Sequence, residues 1–319
     1  MNRRNILILA SSTAALGSTA LLAGCGGSDS PAPQPKPNIV QLAQATPSLS
    51  ILVEAVLAAG LVDTLSGPGP FTVFAPTNDA FVALLGELGV TKDALLKDKA
   101  LLTTVLTYHV LGAKVEKAAI PVGKKITSLQ KGIFKIDVPE GGALSITDGR
   151  NRNSKILATD IQASNGVVHV IDKVILPANK NIVETAVLKA PEFTTLVEAV
   201  TAAGLDATLS GTGPFTVFAP TNAAFAAALT ALGLTKAQLL ADVPRLTKIL
   251  KYHVVSGTVL KAEIPVGAAI PTLQVETISI SAAFVITDTT GAKSNIIITD
   301  VLTSNGVIHA IDKVILPTL

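Results

Sequence analysis

The chain has 319 residues, of which 49% are hydrophobic, 15% charged and 3% aromatic, enough length and apolar content for two domains with a core in each. With 25 Lys plus Arg against 23 Asp plus Glu and no basic block, it lacks the electrostatic footprint of a nucleic-acid binder. A single Cys excludes an internal disulfide and a Cys-built metal site, and the absence of Trp, with only two Tyr, argues against a sugar-binding face of stacked aromatic platforms.

Residues 1–24 read as an export signal. Arg3 and Arg4 supply the positive start, and the Ala/Leu-rich stretch to Leu22 is too interrupted by Ser, Thr and Gly for a comfortable membrane span. It ends Leu22-Ala23-Gly24-Cys25, which resembles a bacterial lipobox, where cleavage precedes the Cys and its thiol carries a lipid. Without Arg3 and Arg4 the remaining chain has 23 charges of each sign. Several acyl chains on Cys25, at about 0.8 kcal/mol per buried methylene, would hold the protein on a bilayer. Residues 25–37 form the stalk: proline at every second position from Pro31 to Pro37 favours an extended, semi-rigid spacer.

From residue 38 the pattern changes to that of a folded domain. Ser48 is a candidate N-cap for a helix with an apolar stripe of Leu49, Leu52, Val53, Val56 and Leu57, ending at Gly60. Gly67-Pro68-Gly69-Pro70 is a turn, and 71–74 reads as a short buried strand that Pro76 ends. Thr77 or Asn78 caps the next helix, with Asp79 near its positive end. Thr91 starts another, and a longer one spans about 98–108. β-Branched runs follow at 126–129, 134–138, 144–147, 155–161 and 167–176. Ser164-Asn165-Gly166 joins the last two as a hairpin turn expected to need positive φ. Helices first and strands later predict an α+β domain, a compact β-sandwich or sheet wedge with several small helices on one side.

The whole pattern then repeats. Residues 52–86 and 196–230 share 27 identities in 35, and the block Asn165 to Pro177 returns as Asn305 to Pro317 with two changes. The offset falls from 144 to 140, placing a four-residue deletion near 275–285. Each copy is large enough to close its own core, so the reading is two domains, 38–177 and 181–317. The junction Ala178-Asn179-Lys180 is short, which makes them close neighbours.

Phe-Thr-Val-Phe-Ala-Pro-Thr-Asn, then Tyr-His, then Asn-Gly-Val-Val-His-Val-Ile-Asp-Lys-Val, resembles the fasciclin-like (FAS1) domain, and both copies carry the three blocks in order. The resemblance covers residues 38–317. It implies two tandem α+β domains, each a seven-stranded β-wedge or sandwich with several small helices, and a non-enzymatic role in extracellular or surface adhesion. It also implies candidate partner-binding positions: Tyr108 and His109, repeated as Tyr252 and His253, and Asp160 with Ile161. Both motifs are linked in animal matrix relatives to integrin-dependent adhesion. The second copy departs with Asp300 and Val301, and Ala158 and Thr159 stand where those relatives carry a proline and an acidic residue.

Each of these positions also has a plainer reading. His109, His169, His253 and His309 are the only histidines, and two imidazoles per domain fall short of the three or four ligands a zinc site needs. Asp172 lies three residues from His169 on a strand, on the opposite face. Half-buried histidines satisfied by backbone hydrogen bonds are the simpler expectation. Tyr108 and Tyr252 close long helices, where a buried ring can send its hydroxyl across to the sheet. Asp160 and Asp300, beside a hairpin, read as turn-stabilising, and the basic segment 149–155, unshared by the second copy, as a solvated turn. No Gly-x-Ser-x-Gly elbow or phosphate loop is present. No enzyme activity, cofactor, metal or nucleic acid is therefore expected. The expected partners are the membrane, through Cys25, and a protein or polysaccharide surface, with homophilic contact a further route. The expected place is the cell envelope, at the outer membrane or cell surface, facing the periplasm or the exterior. The alternative is a periplasmic lipoprotein with a housekeeping or stress role and no adhesive partner.

Overall fold

The computed structural model describes residues 35–318, apart from residue 190; the export signal, Cys25 and the stalk to residue 34 lie outside them. The first domain opens with α1 (Ile39–Gln44), α2 (Ser50–Ala59) and α3 (Val62–Ser66). The strand β1 (Phe71–Pro76) then leads to α4 (Asn78–Leu88), α5 (Lys92–Lys97) and α6 (Lys99–Tyr108). Side-chain caps set most of these starts: Thr77, Thr91 and Asp98 accept from the backbone N–H groups of Ala80, Ala94 and Leu101. Helix α2 differs from the expected start. Residues 47–49 form a 3₁₀ turn, Ser48 caps nothing, and the side-chain carbonyl of Asn78, at the start of α4, takes the Ile51 N–H at 3.0 Å. Gly60 ends the helix in the left-handed region, as expected.

Six further strands complete the sheet: β2 (Val110–Leu111), β3 (Lys125–Thr127), β4 (Ile133–Asp137), β5 (Ser145–Thr147), β6 (Asn153–Ala163) and β7 (Gly166–Ile171). The spatial order is β2-β1-β7-β6-β5-β4-β3, with β1 and β7 parallel and every other pair antiparallel. Strand β1 is buried on both faces, which is why its sequence is continuously apolar. Val73 and Ala75 join Leu52, Val56, Phe81, Leu102 and Val105 in a core between sheet and helices. Phe74 faces a second core inside the wedge with Tyr108, Phe134, Ile136, Ile146 and Ile171.

The β6–β7 hairpin corrects one expectation. No residue of 164–166 has positive φ. Gly166 is needed instead because β1 runs so close that an added Cβ would lie 2.1 Å from the Phe71 carbonyl oxygen. The positive φ of this region, 61°, falls on Asp160, where the register of β6 slips against β7.

The second domain repeats the plan. Its helices are α7 (Ile182–Leu188), α8 (Thr194–Ala202), α9 (Asp206–Ser210), α10 (Asn222–Leu232), α11 (Lys236–Ala241) and α12 (Val243–Tyr252). Its strands are β8 (Phe215–Pro220), β9 (Val254–Ser256), β10 (Ala269–Pro271), β11 (Thr277–Ile280), β12 (Val285–Thr287), β13 (Lys293–Thr303) and β14 (Gly306–Ile311). They are ordered β9-β8-β14-β13-β12-β11-β10. The four-residue deletion falls in the β11–β12 connection, and both domains belong to one compact unit.

Candidate functional site

Tyr108 ends α6 with its ring fully buried against Phe134, centroids 5.7 Å apart. Its hydroxyl donates to the Ile133 carbonyl at 2.6 Å and accepts from the Gly149 N–H at 2.9 Å. One phenol thus ties a helix end to β4 and to the β5–β6 turn. Burial, with the Asp148 carboxylate nearby, holds its pKa well above the usual phenol range. Tyr252 repeats the arrangement with Thr277 O and Thr289 N. This is the cross-connection read from the sequence. Tyr108→Phe should therefore cost about 1–3 kcal/mol, since it leaves two buried backbone groups unmatched while the ring still fits. Urea unfolding measures it; an unchanged midpoint would show that water replaces the hydroxyl.

His109 is also fully buried. Its Nε2 accepts from the Ile175 N–H at 3.0 Å, so Nδ1 carries the proton and donates to Val105 O at 2.7 Å. Burial pushes its pKa down to about 4, and that of His253, bonded to Ile249 O and Ile315 N, to about 4 as well. His169 takes the opposite tautomer: Nδ1 accepts from Asp160 N–H at 3.3 Å and Nε2 donates to Val115 O at 2.9 Å. His309 matches it, with Asp300 N and Val259 O, and burial lowers its pKa. Backbone groups satisfy all four imidazoles, as anticipated, but the rings are buried rather than half-buried. Tyr108, His109, Tyr252 and His253 present a partner no surface. Among the described residues no three His, Cys, Asp or Glu converge as metal ligands would.

The Asp160 and Asp300 backbones sit in the same left-handed bulge, held from below by His169 and His309. The turn each carboxylate stabilises is not the neighbouring hairpin. Asp160 Oδ1 accepts from Lys117 N–H at 2.8 Å and Asp300 Oδ1 from Lys261 N–H at 2.7 Å, so each caps the 3₁₀ turn that follows. Beyond that the copies diverge. Asp160 and Ile161 are half-buried; so is Val301, which packs on the helix-side core of its domain. The Asp300 side chain is only 4% exposed, and its Oδ2 receives the Lys135 ammonium of the first domain at 2.8 Å. Burial opposes that ammonium, but Asp300 and then Asp137 outweigh it and hold the Lys135 pKa above its ordinary value.

This pair anchors a lock between the domains. The Asn151 side chain accepts from Leu302 N–H at 2.7 Å and donates to Leu302 O at 3.0 Å. Ile133 packs on Leu260, Leu302 and Val307. The segment 149–155 is therefore no solvated turn. Arg152 bonds Asp148, Glu87 and Val174 O, while the buried Asp148 carboxylate also takes the N–H groups of Arg150, Arg152 and Leu176.

Lys135, Asn151 and Asp148 are the residues that reasoning from sequence missed. A comparison of the two copies carries the signal for the lock. At matched positions Leu260 and Leu302 replace Glu116 and Gln162, so the contact face of the second domain is apolar where the first is polar. Ser279 and Gly291 stand where the first domain has Lys135 and Asn151.

Two α+β units with tyrosines and histidines built into their interiors, joined by a one-sided lock, define a paired-domain scaffold whose free chemistry is on its outside. The chain belongs to the fasciclin domain family: the Fasciclin domain matches residues 47–177 and 191–317. It is 33% identical over 255 residues to transforming growth factor-beta-induced protein ig-h3 of Oryctolagus cuniculus, covering 79% of this chain and 35% of that protein. It is 44% identical over 142 residues to protein sll1483 of Synechocystis sp., covering 44% of this chain and 73% of that one. Among solved structures it is similar to the FAS1 domain pair of the insect cell adhesion molecule Fasciclin I. There the TM-score is 0.43 and the identity 17%, over 84% of this chain and 97% of the other. The chain spans about a third of the length of the rabbit protein.

Proposed function

We propose that this protein is an exported, lipid-anchored adhesion module that holds a protein or polysaccharide partner against the cell envelope and catalyses nothing. The observation that carries this reading is the burial of all four imidazoles and both phenols. Each is bonded to backbone groups on both sides of its ring or hydroxyl, and burial disfavours the charged imidazole at three of the four positions. Those side chains serve the fold, so recognition falls to the exterior. Membership of the fasciclin domain family supports the adhesive role. The lipobox-like run ending at Cys25 supports the anchor, and the duplicated domain offers two weak sites on one body, which a membrane carrying many copies turns into avidity.

The test is attachment. Cells bearing the intact chain should adhere to matrix- or polysaccharide-coated surfaces several-fold better than cells making Cys25→Ser, and protease shaving of intact cells should abolish the difference. Equal attachment by the two strains would overturn the reading.

A further inference from the structure

An open cleft of about 590 Å³ lies between the two domains, within the ~300–1,000 Å³ range of ligand sites. The β3–β4 hairpin contributes Lys125, Thr127 and Lys131 to one wall, and Thr212, Thr258 and Ser304 line the other. None of the lining residues carries a carboxylate or an aromatic ring. Its two lysines and its hydroxyl side chains suit an anionic, hydroxylated ligand, with Ile133, Pro177 and Pro214 offering apolar surface for the faces of its rings. Among the described residues the two lysines are not neutralised by carboxylates, as some on this protein are. Lys92, Lys114 and Lys236 are paired with Glu54, Glu116 and Glu198. Lys131 has no ion-pair partner among the described residues, and Lys125 uses one of its three donors on Thr258 O at 3.0 Å. The cleft is also preformed, because the Lys135–Asp300 and Asn151–Leu302 contacts fix its walls relative to each other. Its volume is about twenty times the ~30 Å³ share of one water, more than a single inorganic anion fills.

We propose that this cleft binds a short segment of an acidic polysaccharide. Lys125 and Lys131 take its carboxylate or sulfate groups, and Thr127, Thr212, Thr258 and Ser304 hydrogen-bond its hydroxyls. The proposal rests on the adhesive reading and names the chemistry of its partner.

Calorimetry on the full chain at low ionic strength tests it, with polygalacturonate and sulfated heparin oligosaccharides as probes and dextran oligomers of equal length and inorganic sulfate as comparisons. Saturable one-to-one binding of an acidic oligosaccharide is expected, with dextran and sulfate far weaker. Lys131→Glu should raise Kd by at least about tenfold, the loss of one charge-assisted contact. Lys155→Glu makes the same charge change outside the cleft lining and should leave Kd within about twofold, the remainder being long-range screening. Ser304→Leu fills the cleft without changing charge and should also weaken binding; circular dichroism confirms its fold. Equal losses for Lys131→Glu and Lys155→Glu, wild-type binding by Ser304→Leu, dextran binding as well as the acids, or no binding at all would each overturn the proposal. Cell attachment by the same variants separates the two readings: attachment that survives a failed cleft leaves adhesion standing on another face.

Discussion

Acidification from pH 7 to pH 4 should strip about 6 kcal/mol of stability from this protein through two residues. His109 and His253 have their pKa values lowered from 6.5 to about 4 by burial. In the unfolded chain they protonate near 6.5, so between 6.5 and 4 the unfolded state binds more protons than the folded one. Stability is therefore full above 6.5 and falls as the pH drops toward 4, by about 3 kcal/mol per site at pH 4. His309 shifts in the same direction and adds to the fall. The loss between pH 6.5 and 5 belongs to the imidazoles, because ordinary carboxylates titrate lower, near 4. Urea midpoints at pH 7, 6, 5 and 4 measure it. His109→Gln lowers stability at pH 7, because an amide replaces two good ring hydrogen bonds imperfectly, but it should flatten the slope between pH 6.5 and 5. A wild-type midpoint constant from pH 7 to 5 would sink the account.

The parts of this fold legible in the sequence are those encoded locally. Thr77 and Thr91 cap their helices, the β1 strand reads as a buried apolar run, and Tyr108 sits where a helix end can reach a sheet, because each depends on neighbours within a few residues. Two local readings failed for a shared reason. Ser48 was the nearest capping residue, yet α2 takes its cap from Asn78, 27 residues on from the N–H that it satisfies. Gly166 looked like a turn glycine, yet its constraint is a strand nearly a hundred residues away. The lock lay further out of reach, since Lys135 and Asp300 are 165 residues apart and a lysine on a strand reads as an exposed one. Duplication supplies the missing information. Leu260 and Leu302, apolar where the first copy has Glu116 and Gln162, lie on a face that the second domain packs against Ile133 and that the first leaves open.

That asymmetry predicts the effect of cutting the lock. Lys135→Met keeps the aliphatic stem against the interface but leaves the Asp300 carboxylate, 4% exposed, with the Lys261 N–H and no counter-charge. Stranding a buried carboxylate this way costs about 3 kcal/mol, and the cost falls on the contact between the domains. The unaltered chain, whose domains form one compact unit, is expected to unfold in one calorimetric transition, and the Lys135→Met variant in two. Adding Asp300→Asn removes the stranded charge while the amide oxygen still accepts from Lys261, so the double variant should recover most of the loss. Asp160→Asn, at the matched bulge of the first domain, removes a half-buried carboxylate with no cross-domain lysine and should move the transition little. An unsplit transition in Lys135→Met, or a double variant as weak as the single, would show that packing of Ile133 on Leu260 and Leu302 holds the pair by itself. The same residues also limit the assembly. The second domain offers Ser279 and Gly291 where the first presents Lys135 and Asn151, and the first offers Glu116 and Gln162 where the second presents Leu260 and Leu302. Donor and receiver faces therefore meet once, inside one chain, and the outer ends of the pair cannot extend the lock to another copy.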